Sequence, residues 1–212
     1  MDWDREARTG LPEAVFAAGK TPAQIEAIVA DAGERRLLLT RLDAARHAAL
    51  APSTRDALDY HPLSATAILN GCAAARPGRI AVVTGGLADM PAATEALRTL
   101  AFCGVTAELV ADVGVAGLWR LMGRLDEIRA ADVVIAVAGM EGAIFSVLAG
   151  LVAAPIIALP VSVGTGVSEG GRLALHSALG SCAPGLVAVN IDNGFGAAQA
   201  ALRILGPRPP AS

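Results

Sequence analysis

From residue 79 to residue 205 the chain repeats one pattern, a short apolar run ending in glycine or proline followed by a stretch with helical spacing. This alternation constrains the fold more than any other feature. A strand over 80–84 ends in Gly85-Gly86 and leads into a helix over 91–103 that has Pro91 at its start. A strand over 107–111 precedes an amphipathic helix over 118–130. A strand over 133–138 ends at Gly139 and precedes a helix over 142–152. A strand over 156–159 ends at Pro160 and precedes a helix over 171–179. A strand over 186–191 precedes a last helix over 195–205, closed by Gly206-Pro207. Strands alternating with helices predict a parallel sheet. Strands that are apolar at nearly every position predict burial of both faces. The expected class is α/β, a doubly wound parallel sheet flanked by helices over residues 71–206.

Residues 1–70 carry more charge and read as a small α/β domain of their own. Thr21 is placed to cap a helix over 22–32. Residues 37–40 read as a short strand, and 54–70 as a helix broken near Pro62. Residues 207–212 are expected to be a mobile tail.

Several classes are excluded on composition. A net charge of −3 with scattered basic residues gives no footprint for duplex nucleic acid. With aromatics at 3%, stacking platforms for single strands are nearly absent. The three cysteines, Cys72, Cys103 and Cys182, show no C-x-x-C spacing, so a disulfide framework or a zinc site is not expected. The first residues are charged and show no secretory signal. The uncharged stretch 142–168 is long enough to span a membrane, but Pro155 and Pro160 interrupt it and no Lys or Arg flanks it. It reads as a buried helix–strand unit. A cytoplasmic protein without membrane or nucleic-acid partners is the expectation.

In open α/β sheets ligands bind beyond the carboxyl ends of the strands, and the unusual residues cluster at such positions. They lie in Gly85-Gly86-Leu87-Ala88-Asp89, in Gly139-Met140-Glu141-Gly142, in Pro160-Val161-Ser162-Val163-Gly164-Thr165-Gly166, and in Asn190-Ile191-Asp192-Asn193-Gly194. The Gly164/Gly166 pair does not complete G-x-G-x-x-G, because position 169 is Glu. Asp89 is either a cap for the helix starting near Pro91 or a site carboxylate. Asp192 and Asn193 are either a turn and cap or ligand contacts. Glu141 is the one charge between residues 133 and 168, where burial is expected to raise its pKa and a carboxylate is costly unless used. Cys182 lies in a Gly/Pro-bounded loop read as facing the site, which suits a reactive thiol. His47, His61 and His176 are dispersed, which argues against a Cys–His hydrolase.

Five motifs in order resemble the LarB family, the carboxylases of nickel-pincer nucleotide biosynthesis. They are Asp112–Arg120, Ala138–Ala143, Pro160–Gly164, Ser181-Cys182-Ala183-Pro184-Gly185 and Asn190–Gly196. The leader segments Arg8–Glu13 and Gly19–Pro22 are similar too, and the C-terminal part more distantly resembles the PurE fold. The resemblance implies carboxylation at C5 of the pyridine ring of nicotinic acid adenine dinucleotide, with CO2 as co-substrate. It also implies hydrolysis of the phosphoanhydride to release AMP. Cys182 matches the cysteine that adds to C4 of the ring, Glu141 the base that takes the C5 proton, and Asp89 the loop aspartate. Gly86, Ala88, Arg120, Gly139, Met140, Ser162, Gly164, Ser181, Asp192 and Asn193 fall at substrate-binding positions. The resemblance further implies an octameric homo-oligomer, possible help from Mg²⁺ at the phosphates, no dedicated metal site and no organic cofactor.

The departures are specific. The family's Gly-Thr-Ser-Asp loop reads Gly86-Leu87-Ala88-Asp89, losing both hydroxyls. Trp119 stands where the family has His, Val161 and Thr165 replace Thr and Tyr, and Gly180 replaces Asn. Two competing readings stay open. One is a PurE-like aminoimidazole ribonucleotide carboxylase or mutase needing no covalent cysteine. The other is a non-catalytic nucleotide-binding paralogue.

Overall fold

The computed structural model describes residues 1–206; the expected tail at 207–212 lies outside them. The chain runs α1 (Arg5–Thr9), β1 (Ala14–Phe16), α2 (Pro22–Ala32), β2 (Leu37–Thr40), α3 (Ala44–Ala48), α4 (Pro52–Ala57), β3 (Leu58–His61) and β4 (Thr66–Leu69). It continues through β5 (Ile80–Thr84), α5 (Met90–Phe102), β6 (Ala107–Val110), α6 (Leu118–Gly123), α7 (Leu125–Arg129), β7 (Val133–Ala138) and α8 (Ala143–Leu151). The last elements are β8 (Ile156–Pro160), α9 (Arg172–Leu179), β9 (Leu186–Ala188) and α10 (Gly194–Ile204).

The second half matches the expected class. Its five strands are all parallel, in the order β6-β5-β7-β8-β9. Alternate residues of each strand enter different cores. Ile80, Val82, Ile135, Val137 and Leu159 pack under α5 and α10. Ala81, Val83, Val134, Ala136 and Ala158 pack under α6 to α9. A strand buried on both faces has few polar positions to give, which is why the inner strands β5, β7 and β8 read as apolar runs, while the edge strand β6 carries exposed Glu108. The uncharged stretch 142–168 resolves into α8 and β8, and no described helix is long and apolar enough to cross a membrane.

The first half forms a four-stranded mixed sheet, β1-β2-β4-β3. Thr21 caps α2 through a capping box with Gln24, as its position predicts. The expected broken helix over 54–70 is not present. After α4 the chain pairs β3 and β4 antiparallel, with residues 62–65 turning between them. Tertiary pairing overrides helical propensity here, because Leu58, Ala67 and Leu69 must face the core formed by Ile25, Leu37 and Leu39. The expected helix over 118–130 is also divided, at Arg124, whose φ/ψ of −115°/7° breaks the helical course. The last strand stops at Ala188 rather than continuing to 191.

The two sheets are joined through α5. Leu38 and Ile68 turn from the small sheet into the core that holds α5, while Leu37 and Leu39 stay in their own core. The small domain thereby lies along α5, with Arg41 pairing with Glu95 and Arg36 donating to Phe102 O at the far end.

Candidate active site

The strand order has one reversal, between β5 and β7, where the chain winds outward in both directions. At such a switch point the connections leave on opposite faces and open a crevice. A cavity of about 360 Å³ occupies it, lined by Gly86, Ala88, Asp89, Arg120, Gly139, Met140 and Glu141 among others. These are seven of the expected site residues, brought in by the loops after β5, β6 and β7.

Asp89 is nearly sealed, 5% exposed. It does not cap α5, as one reading had it. Its Oδ2 instead accepts from the Gly86 N–H at 2.8 Å, tying the loop back on itself. Burial pushes its carboxyl above the usual range, while the backbone N–H groups of Gly86, Gly139 and Gly85 pull the other way. A carboxyl favoured protonated in the fold contributes stability that is full below the unfolded pKa. That contribution is lost as pH rises through the raised folded value. Asp89→Asn keeps an acceptor for Gly86 but cannot ionise. The Tm of the wild type should therefore fall relative to that of Asp89→Asn as pH rises above the ordinary carboxyl range, about pH 4. A constant Tm difference over that rise would contradict the buried carboxyl.

Glu141 departs from expectation. It is exposed in the turn after β7, so the premise of burial fails. The turn itself is constrained. Met140 has φ +51°, and its N–H donates to Val163 O at 3.0 Å. Gly139 lies so close to Val163 that a Cβ there would sit 2.0 Å from the carbonyl oxygen. Non-glycine residues with positive φ recur along this edge, at Arg41, Asp112, Met140 and Asp192. Such strain collects at sites where geometry is held for use. Arg120 donates to Asp112 Oδ2 at 2.8 Å, which directs it from α6 into the crevice.

The remaining expected residues are placed elsewhere. Ser162 and Asp192 line a second cavity, with Ser162 N donating to Asp192 Oδ1 at 2.8 Å. Asn193 caps α10 by accepting from Gly196 N at 2.8 Å, and it lines neither cavity. Gly164 also lines neither, and its close neighbour is Ser168 O. Ser181 bonds Ser146 of α8 at 2.7 Å and accepts from Ala183 N, a structural tether.

Cys182 is exposed, but not on the side expected. Its loop connects α9 to β9, and such helix-to-strand connections lie at the amino ends of parallel strands. Gly185 O accepts from Ile156 N at that end of β8, whereas Asp192 N reaches Pro160 O at the other. Five residues of strand put about 13 Å between the two edges. The thiol therefore does not line the cavity of its own chain.

Three groups at this edge escaped the sequence reading. Arg41, directly after β2, pairs its Nε with Glu95 Oε1 at 3.4 Å and also donates to Asp192 O. Glu95, 3% exposed on α5, accepts from Gly194 N at 2.9 Å. Ser64, in the β3–β4 turn, contacts Thr66 Oγ1 at 2.9 Å and His61 Nδ1 at 3.2 Å. A charge inside an otherwise apolar helix face was the available signal for Glu95. Arg41 and Ser64 had none, since only the docking of the two sheets brings them here.

Among the described residues no three His, Cys, Asp or Glu side chains come together as a metal cage. Magnesium often keeps its waters and binds through one or two carboxylates with substrate phosphates. Asp89 and Glu141 are the carboxylates that line the first cavity.

Comparison with known proteins agrees with this architecture. Residues 1–71 match the LarB/PurE-like N-terminal domain, and residues 79–211 match the AIR carboxylase domain. An uncharacterized protein of Methanocaldococcus jannaschii is 35% identical over 207 residues, covering 93% of this chain and 80% of that one. A PurE2 variant from Treponema denticola shares the fold at a TM-score of 0.50 and 23% identity, over 60% of this chain and 79% of its own. With both domain models matched in order along nearly the whole chain, the protein belongs to the LarB family, a PurE-like carboxylase fold carrying the family's N-terminal domain.

Proposed function

We propose that the protein carboxylates C5 of the pyridinium ring of nicotinic acid adenine dinucleotide and hydrolyses its phosphoanhydride, releasing AMP. The observation that carries this reading is the switch-point cavity, which gathers Asp89, Arg120 and Glu141 in a chain of the carboxylase family.

A pyridinium ring is too electron-poor to attack CO2. Addition of a thiolate at C4 forms a C–S bond and moves the ring electrons so that C5 becomes enamine-like. C5 then bonds the carbon of CO2. Glu141 removes the C5 proton, the C–S bond breaks, and its electron pair leaves with sulfur as aromaticity returns. Water supplies the atoms for the hydrolytic half. Glu141 is exposed at the cavity mouth, where it can accept a proton and pass it to solvent.

The thiol is Cys182, supplied by a second copy of the chain. Met140 and Val163, which line the cavity, are exposed apolar side chains, Leu87 and Trp119 are exposed beside lining residues in the sequence, and Leu179 and Val187 are exposed close to Cys182 in the chain. Apolar surface of this kind marks an interface, and a homo-oligomer that closes it would bring Cys182 to a neighbour's crevice. Mg²⁺ would be carried by the substrate's phosphates, with no step assigned to it.

The absence of Cys182 from the cavity of a single chain favours a second reading, a PurE-like ribotide carboxylase or mutase that uses no thiol. Incubation with the dinucleotide, bicarbonate and Mg²⁺, followed by mass spectrometry, separates the two. Gain of one carboxyl group with release of AMP, lost in Glu141→Gln, supports the proposal. No conversion by wild-type protein at saturating dinucleotide rejects it.

A further inference from the structure

The second cavity, about 300 Å³, is contiguous with the first. Ala88, Asp89 and Val163 line both, so these three residues form their common wall. The far side comes from the small domain through Arg41, Leu63 and Ser64, and the floor from Pro91, Glu95 and Asp192. We propose that this cavity is the subsite for the adenylate half of the dinucleotide, so that the N-terminal domain reads the half of the substrate that does not react. The inference rests on the dinucleotide reading above.

Five observations support it. The two halves of such a dinucleotide are nucleoside monophosphates of similar bulk, and the two cavities are similar in volume. Each cavity carries one arginine, Arg120 in the first and Arg41 in the second, as two adjoining phosphates require. Leu63, Pro91 and Val161 offer an apolar wall for a base. Asp192 Oδ1 is taken by Ser162 N, which leaves Oδ2 without a partner among the described residues and available to a ribose hydroxyl. Ser64 adds a hydroxyl held in place by Thr66, which in turn accepts from Arg98 Nε at 2.8 Å.

The common wall is also suited to a bridging phosphoanhydride. Asp89 would repel it when ionised, but burial biases its carboxyl toward the neutral form. Arg41 is held by Glu95 and by Asp192 O, so its guanidinium is already oriented before a phosphate arrives.

The test is calorimetric titration of the full chain with AMP and, separately, with nicotinic acid mononucleotide. Leu63 is half exposed, so Leu63→Trp fills the subsite from the solvent side without entering the core. AMP affinity is expected to fall at least tenfold in this variant, while mononucleotide affinity changes less than twofold. Equal loss for both ligands, no loss for either, or no AMP binding by the wild type would overturn the proposal. Photolabelling of the wild type with 8-azido-AMP gives a second answer that depends on no variant. Label on residues 63–65 is expected, and label confined to the loops after β6 and β7 would overturn the assignment. Both readouts are binding measurements. A protein that takes AMP here but does not carboxylate the dinucleotide keeps the subsite and loses the reaction. One that carboxylates while AMP labels elsewhere keeps the reaction and loses the subsite.

Discussion

Cys182→Ala is expected to lower the rate of ring carboxylation at least ~10³-fold, about 4 kcal/mol of transition-state stabilisation, and to leave the fold intact. The chemical part follows from the ring. Without a nucleophile at C4 no electron pair reaches C5, and no positioning of CO2 by the remaining groups replaces it. The structural part follows from exposure. Cys182 is at the surface, so deleting its sulfur opens no cavity and stability should change by less than ~0.5 kcal/mol. The other two thiols serve as controls. Cys72 is exposed on the chain segment joining the two sheets, and Cys72→Ala should not alter the rate. Cys103 is buried, and burial pushes its thiol up to about 12, which leaves it protonated and inert to alkylation at neutral pH. In the Cys72→Ala background, alkylation of Cys182, slowed by the dinucleotide, is the direct readout. If the thiol acts across an interface, Cys182→Ala and Glu141→Gln protomers reassembled together should regain activity that neither has alone. Failure of that mixture to recover would place the thiol in its own chain's crevice.

The second large effect is expected at Gly139. In Gly139→Ala the new Cβ would lie 2.0 Å from Val163 O, 3.0 Å from Val163 C and 3.3 Å from Val161 Cγ2. The first two of these are backbone atoms, so no side chain can swing away. The loops after β7 and β8 must part, breaking the Met140 N to Val163 O bond that orients the Glu141 turn. Destabilisation of ~2–3 kcal/mol is expected, seen as a Tm lower by ~4–12 °C for a chain of this size. Activity should fall further than stability explains, because Glu141 moves with the turn. Gly150 on α8 is the contrast. Nothing lies within 4 Å of a Cβ built there, and its φ is helical in sign, so Gly150→Ala should stabilise the protein by ~0.5–1 kcal/mol. Similar thermal shifts in the two variants would refute the close approach at Gly139.

Much of the large domain was written in local sequence. Each of the three inner parallel strands, β5, β7 and β8, is sealed on both faces, so its apolar run is continuous and its carboxyl end is marked by glycine or proline. Val133–Ala138 matches residue for residue, and α2 with its Thr21 cap does the same in the small domain. Local signals were weaker where pairing partners decide. Residues 58–69 form a hairpin because Leu58, Ala67 and Leu69 complete a core whose other members lie far away in sequence. No window of that segment contains this information.

The site divides along the same line. Asp89, Glu141 and their glycines were legible because they lie in the turns that follow strands, and the carboxyl ends of all strands in a parallel sheet face the same edge; Arg120, on α6, was indicated only by the family resemblance. Their meeting depends on strand order, which only the tertiary structure decides. Placing β5 beside β7 opens the crevice between Asp89 and Glu141. The same topology sends Cys182 to the opposite edge, since it precedes a strand rather than following one. Exposure of Glu141 was likewise beyond the sequence, because a charge in a turn after an apolar strand says nothing about which side of the surface it will meet. In the large domain, what the sequence by itself determined was the set of strands, the helices between them and the residues at their ends. Which ends share a crevice, and which residues of the small domain are brought over it through Leu38, Ile68 and Arg41, was decided by packing between segments distant in the chain.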